Sequence, residues 1–219
     1  MRTLFTAEMS QLADDLVEMG EHVNTAIHRA SEALTNKNLE LAQQVIAEDK
    51  VLDKLESQID ERCVLLIAQQ QPVGLDLRTL VTSLRISAAL ERMGDLAQHI
   101  AEAARRSYPE SPIPASHTAI VEQMAEAANH TGDLLVTLLK ERDLNVAAQI
   151  VSDDDTLDGL HDEAYSALLD DAYTGDTRNT LDISLLARFY ERFGDHAVNV
   201  SRRIVYLVTG DLDSDRSAI

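Results

Sequence analysis

Apolar residues recur along this chain every three or four positions. Leu186, Tyr190, Phe193, Ala197, Val200, Ile204 and Leu207 form one series, and Val45, Leu52, Leu55, Ile59, Cys63 and Leu66 another. At about 100° per residue each series falls on one side of a helix. Aromatic residues make up only 4% of the chain and β-branched residues do not alternate, so no strand is expected. The spacing predicts helices over 5–35, 39–70, 75–107, 115–140, 144–173 and 177–210. Several approach 30 residues, about 45 Å. Helices of that length outrun the usual globular helix and need mutual packing to persist.

The breaks between them carry ordinary turn chemistry. Thr35-Asn36 and Asn38 suit a turn and a helix cap, and Gln71-Pro72-Val73-Gly74 ends the second helix. Pro109, Pro112 and Pro114 cluster near the midpoint, where proline's missing amide donor and ring exclude helix interior. Residues 108–115 therefore read as a linker between a first bundle, 1–107, and a second, 116–219.

The two sides repeat each other. Leu34, Leu39, Ala42, Val45, Asp49, Leu52, Asp53 and Leu55 recur 105 places on as Leu139, Leu144, Ala147, Ile150, Asp154, Leu157, Asp158 and Leu160. Further along the offset is 100, with Glu91-Arg92-Met93-Gly94-Asp95 returning as Glu191-Arg192-Phe193-Gly194-Asp195. A five-residue change of offset is tolerated where it falls in a loop. The expected fold is all-α, a tandem duplication of two antiparallel three-helix bundles.

Charge then narrows the functions open to such a fold. The net charge is −19, from 38 acids against 19 bases. Nucleic acid is a polyanion and its binding needs clustered Lys and Arg, which are lacking. Anionic membrane surface is disfavoured on the same ground. No apolar stretch reaches the length of about 18 residues that spans a bilayer. The start, Met1-Arg2-Thr3-Leu4-Phe5, lacks a signal peptide's apolar region, so the cytoplasm is the expected compartment. The single cysteine, Cys63, cannot form an internal disulfide and suits a buried position.

Catalytic signatures are missing: there is no phosphate-cradling Gly-rich loop, no Gly-x-Ser-x-Gly and no His-Glu-x-x-His, so an enzyme is not expected. What recurs instead is a carboxylate followed four residues later by Asp: Asp49/Asp53, Glu91/Asp95, Asp154/Asp158 and Glu191/Asp195. Residues four apart on a helix share a face, and like charges so placed are mildly repulsive. A hard cation between them reverses that sign, and oxygen ligands suit Mg, Mn or iron better than zinc. A merely solvated acidic face is the other reading. Neither choice gives a buried ferritin-type centre, because only Asp158-x-x-His161 resembles the Glu-x-x-His element such a centre repeats. The helical wheel places Asp49 and Asp53 along one flank of their apolar stripe and Glu191 and Asp195 opposite the Phe193 stripe, so that none of them is expected to face the core. The metal expectation is two sites, one per bundle: Asp49 and Asp53 facing Glu91 and Asp95, and Asp154 and Asp158 facing Glu191 and Asp195. Arg92 and Arg192, next to each Glu, can neutralise part of the charge. Asp76 and Asp176 precede Arg78 and Arg178 as expected helix caps.

Glu191-Arg-Phe-Gly-Asp195-His196-Ala197-Val-Asn199-Val200, with Arg203 to Gly210 after it, resembles the signature of the PhoU family. Glu91-Arg-Met-Gly-Asp95 and Asp49-Lys-Val-Leu-Asp53-Lys-Leu-Glu56 resemble its copy in the first half and its middle-helix motif. The resemblance spans nearly the whole chain. It implies a cytoplasmic negative regulator of the phosphate-starvation response and of phosphate transport. Its implied partners are a sensor histidine kinase and the ATPase subunit of the phosphate ABC transporter, and a homodimer is expected. It implies cations at the four carboxylate pairs as well. The alternative, from a different class, is a carboxylate-bridged metal-binding protein or metalloenzyme. Two departures distinguish the halves: Leu96 stands where the second copy has His196, and His161 where the first has Glu56.

Overall fold

The computed structural model describes residues 2–211, with side chains from residue 5 onward; the stretch 212–219, assigned above to the second bundle, lies outside the described residues. Six α-helices follow one another: α1 (Arg2–Asn36), α2 (Leu39–Gln70), α3 (Leu75–Ser107), α4 (Thr118–Glu141), α5 (Leu144–Leu168) and α6 (Thr177–Thr209). A single 3₁₀ turn, Ala115–His117, leads into α4, where the sequence pattern had suggested that α-helix begins. No strand occurs among the described residues.

Local chemistry accounts for the ends. Asn38 caps α2 by accepting from the Leu41 amide at 3.1 Å, and Asp143 caps α5 through the Asn145 amide at 2.8 Å. Gln71 closes α2 in the left-handed region, and Pro72 then prevents the helix from resuming. Asp176 caps α6 as expected, accepting from the Asn179 amide at 2.8 Å. Its supposed counterpart Asp76 does not cap α3. Gly74 holds that position without a side-chain bond, and Asp76 sits inside the first turn, where the helix dipole favours its charge. Helix α5 stops at Leu168 rather than near 173 because Asp170 accepts from the Ala172 amide at 2.7 Å, a local turn that competes with the helical ladder.

Helices α1–α3 pack as one bundle and α4–α6 as another, and the two bundles join side by side through α1 against α4 and α3 against α6. Both joints are antiparallel. At α3–α6, Arg78 lies 5.6 Å over the Tyr206 ring, His99 stacks on Phe189 at 5.1 Å, and Arg106 pairs with the buried Asp182. At α1–α4, Lys140 meets Glu21 at 2.6 Å while Asn24 donates to Asp133 at 2.9 Å. The core runs unbroken through this junction. Met19, Ile27, Leu90, Met93, Tyr190 and Phe193 are all fully buried within it. Burying each such side chain stabilises the fold by roughly 1.5–3 kcal/mol. The Tyr190 hydroxyl is within hydrogen-bond distance, 3.1 Å, of Ser31, so the polar end of this side chain is satisfied across the two bundles. Cys63 is buried as expected, and burial pushes its thiol up to about 12, which leaves it inert as a nucleophile.

Helices α2 and α5 lie outermost, each resting on the other two helices of its own bundle. Each reaches its neighbour over a glycine. An added methyl on Gly94 of α3 would overlap Leu52 Cδ1 of α2, and one on Gly194 of α6 would overlap Asp154 Oδ1 and come within 2.9 Å of Leu157 Cδ1 of α5. The mid-helix glycines thus set the α2–α3 and α5–α6 separations. We expect Gly94→Ala to destabilise the protein by about 1–2 kcal/mol in chemical denaturation. Overpacking against the buried Leu52 outweighs the roughly 1 kcal/mol that alanine gains in helix propensity. A stabilised Gly94→Ala protein would show that α2 can move aside freely.

Candidate functional site

The glycine contacts bring the carboxylate pairs together along two seams. On the first, Asp49 and Asp53 of α2 come beside Glu91 and Asp95 of α3. Asp49 feels the charges of Asp53 and Asp95, and Glu91 feels those of Asp95 and Asp53. On the second, Asp154 of α5 feels Asp158 on its own helix and Asp195 and Glu191 across the seam, while Glu191 feels Asp195 and Asp158. Each helix of a seam presents its pair on one face, as the four-residue spacing requires. All eight carboxylates singled out in the sequence are therefore gathered into two clusters, four to a bundle.

Their burial differs from the picture of a purely solvated flank. Asp53, Asp158 and Asp195 are exposed, but Asp49 and Asp154 are half-buried, and the side chains of Glu91 and Glu191 keep only 15% and 12% of their exposure. Burial is the first cause of the resulting shifts and the neighbouring carboxylates the second. Together they push Glu91 and Asp154 up to about 7, and raise Asp49, Glu56, Asp158 and Glu191 above the usual carboxylate range. The sequence could not give this depth, because it depends on how closely the glycines let α2 and α5 approach.

The two seams are neutralised differently. In the first bundle Arg92 spans its own turn, 3.3 Å from Glu91 and 2.7 Å from Asp95. In the second, the partner of Glu191 is Arg188, at 2.5 Å on one oxygen, and not the adjacent Arg192. Arg188 escaped the sequence reading because its repeat position holds Ala88. The other Glu191 oxygen, Asp154 Oδ1 and His161 Nε2 are buried without a hydrogen-bond partner. His161, which replaces Glu56 of the first copy, adds a favourable charge interaction to both Asp158 and Glu191. His99 and Glu102 of α3 also reach Asp49. Glu102 follows Asp95 by two helical turns, a spacing that could have flagged it. Between the seams, on the α3–α6 joint, burial and then Arg192 hold His196 below the usual histidine value.

Among the described residues, no three His, Cys, Asp or Glu side chains already stand close enough together to hold a metal ion. The second seam nonetheless offers a donor set of the kind a hard cation takes, since Asp154 Oδ1 and the second Glu191 oxygen are buried carboxylate oxygens without a hydrogen-bond partner. The first seam fits less well, because Arg92 occupies that role.

A tandem pair of three-helix bundles, each carrying one carboxylate seam over a glycine contact, defines a duplicated helical-bundle protein of the acidic-seam kind. The PhoU domain model matches the chain twice, over residues 16–104 and 121–204, and the chain belongs to the PhoU family. It is 36% identical over 215 residues to the phosphate-specific transport system accessory protein PhoU homolog 1 of Mycobacterium leprae, covering 98% of this chain and 97% of that protein. It is also 36% identical to PhoU homolog 2 of Mycobacterium tuberculosis, over 96% of this chain and 99% of the relative. The crystal structure of PhoU from Pseudomonas aeruginosa superposes with a TM-score of 0.86 at 28% identity, covering 94% of this chain and 100% of that one.

The raised carboxylates make the ion-free protein sensitive to pH. Unfolded, Glu91 and Asp154 titrate near 4.5 and 3.8; folded, near 7. Between those values the native state holds more protons than the unfolded state, so stability falls as pH rises. The penalty is absent below about 4 and complete above about 7. Thermal unfolding in chelator should give a lower Tm at pH 8 than at pH 5.5. Asp154→Asn should flatten that slope and raise the Tm at pH 8. A wild-type Tm insensitive to pH across this window would show the seam carboxylates to be fully hydrated.

Proposed function

We propose that the protein is a cytoplasmic negative regulator of the phosphate-starvation response and of phosphate transport. In this reading it is an adaptor between the phosphate ABC transporter and a sensor histidine kinase and has no catalytic role of its own. The observation that carries the reading is the end-to-end match of both repeats to proteins named as phosphate-specific transport accessory proteins. The physical form suits an adaptor. Long helices with one continuous core make a rigid body, and the −19 charge gives it surfaces that select cationic partner faces and steer their approach. Among the described residues no helix is long and apolar enough to cross a membrane. Deleting the gene should switch on phosphate-scavenging genes in phosphate-rich medium, read as reporter expression and phosphate uptake. Normal repression in the deletion strain would refute the regulatory role.

A second reading, cation binding at the seams, is favoured by the unpartnered oxygens of Asp154 and Glu191. Asp154, Asp158, Glu191 and Asp195 would hold the ion in the second bundle, and Asp49, Asp53, Glu91 and Asp95 in the first. A Mg, Mn or iron ion would there supply positive charge that Arg92 and Arg188 supply only in part, and the four carboxylates of a seam would have to draw together around it. The chain's own residues position the oxygens: Gly194 lets Asp154 approach α6, and Arg188 holds one Glu191 oxygen while the other has no hydrogen-bond partner. Because the ion competes with the proton on Asp154, affinity should rise about tenfold per pH unit up to pH 7. Titration calorimetry with Mn should lose the second-bundle event in Glu191→Gln/Asp195→Asn, with helicity unchanged by circular dichroism. Identical isotherms for the wild type and the double variant would leave the acidic seam merely solvated.

A further inference from the structure

We propose that the outer groove between α1 and α2 is a docking site for a basic amphipathic helix of another protein. This inference does not rest on the phosphate-regulation reading. It starts from a difference between the repeats. Helix α4 begins at Thr118, so the first turns of α1, before residue 13, have no counterpart 105 places later. Helix α5 ends at Leu168, so the last two turns of α2, beyond Cys63, have none either. These two overhangs lie alongside each other at one end of a groove of about 610 Å³ that continues between α1 and α2 past Asp15 and Val51.

The groove floor is apolar at two places. Leu65, 48% exposed, and the partly buried Phe5 form one, and Val51, 38% exposed, and Leu55 form the other. In the second repeat the positions of Val51 and Leu65 hold Thr156 and Asp170, so this apolar lining belongs to the first copy alone. Leu55 and Leu65 are ten residues apart on one helix, about 15 Å along its axis. A bound helix would therefore carry two apolar clusters about three turns apart, the pattern of helix-in-groove recognition.

The rim decides what kind of helix fits. Arg62 crosses the groove to Asp15 at 3.2 Å and Glu8 at 4.0 Å, so its charge is already used inside the groove. Glu18 and Glu61 line the rim as exposed acids, with Lys54 the only other base along it among the described residues. An acidic rim around an apolar floor selects Lys and Arg flanking the apolar stripe of the partner. The same charge argues against a second copy of this chain, whose net charge of −19 would bring like charges together.

The test uses the full-length protein and a synthetic 18-residue helical peptide with Leu clusters three turns apart and Lys on its flanks, followed by fluorescence anisotropy. The wild type should bind it, and affinity should fall on raising salt from 50 to about 300 mM. Val51→Glu/Leu65→Glu should weaken binding at least tenfold. Glu18→Lys/Glu61→Lys, both on exposed positions outside the core, should do the same with the fold intact by circular dichroism. Leu181→Glu, an exposed apolar residue on α6, should leave binding unchanged. Equal binding by all variants, or equal binding of a Glu-flanked peptide, would overturn the proposal. So would sedimentation showing that Val51→Glu/Leu65→Glu converts a wild-type dimer to monomer, because the groove's occupant would then be a second copy. Repression by phosphate is scored separately, so a wild type that represses normally but does not bind the peptide refutes this site alone.

Discussion

Helices α3 and α6 run antiparallel through the middle of the molecule, and their contact is the constraint on which the other elements depend. Each is buried along most of its length, with Met93 and Phe193 at equivalent repeat positions both excluded from water. Charged side chains mark both ends of the joint, although Arg78 Nε and Asp182 Oδ2 are buried there without a hydrogen-bond partner. Arg106 of α3 pairs with the buried Asp182 of α6, and Arg78 covers the Tyr206 ring. An isolated buried carboxylate would be costly to desolvate, so the pair specifies the register of the two helices even where its net stabilisation is small. With α3 and α6 fixed, α1 and α4 close the junction on one side, and α2 and α5 are left outside. That order leaves the outer helices to meet α3 and α6 along the two carboxylate seams.

Like-charge clustering at the two seams has a structural cause that is separate from any ligand. Glycine at 94 and 194 lets α2 and α5 approach so closely that their aspartates are drawn out of bulk water beside the glutamates of α3 and α6. Exposed carboxylates four residues apart repel only weakly. The same carboxylates half-buried against a second pair are forced toward the protonated form, which is why Glu91 and Asp154 move to about 7. The halves then resolve the problem differently. Arg92 answers it within the first seam, whereas the second retains oxygens without a partner and a histidine beside them. Duplication supplied the same backbone twice, and single substitutions such as Arg188 for the repeat position of Ala88 separated the two electrostatically.

The repeats diverge in length as well as in charge. The overhangs of α1 and α2 have no equivalents, and just inside them Arg62 of α2 reaches Asp15 and Glu8 of α1. Exposed apolar side chains at Val51 and Leu65 are tolerated there without a covering helix because they are separated by Gln58 and Arg62 and form no continuous patch. The molecule thus presents two unlike outer faces on a nearly symmetric frame: one with a groove beside a seam bridged by Arg92, the other with a seam in which Arg188 holds only one Glu191 oxygen.

The helices, their order and the duplication were legible in the chain, because an amphipathic period and a proline cluster are local signals that tertiary packing rarely overrides. The caps at Asn38 and Asp176 were legible for the same reason, since a cap needs only the residues that follow it. Asp76 looked equivalent to Asp176 and was not, because Gly74 moved the start of α3 forward by two residues. The candidate site was legible as eight carboxylates at matching spacings, but not as a site of given depth or charge. Spacing along one helix fixes which side chains share a face. How far that face is buried, and which arginine reaches it, depends on the partner helix. The glycine contacts, the pairing of Glu191 with Arg188 and the groove between the overhangs of α1 and α2 all arise between residues far apart in sequence. One-dimensional periodicity therefore determined the six helices and their acidic faces, while the approach distances between helices decided which of those charges are buried, paired or left without a partner.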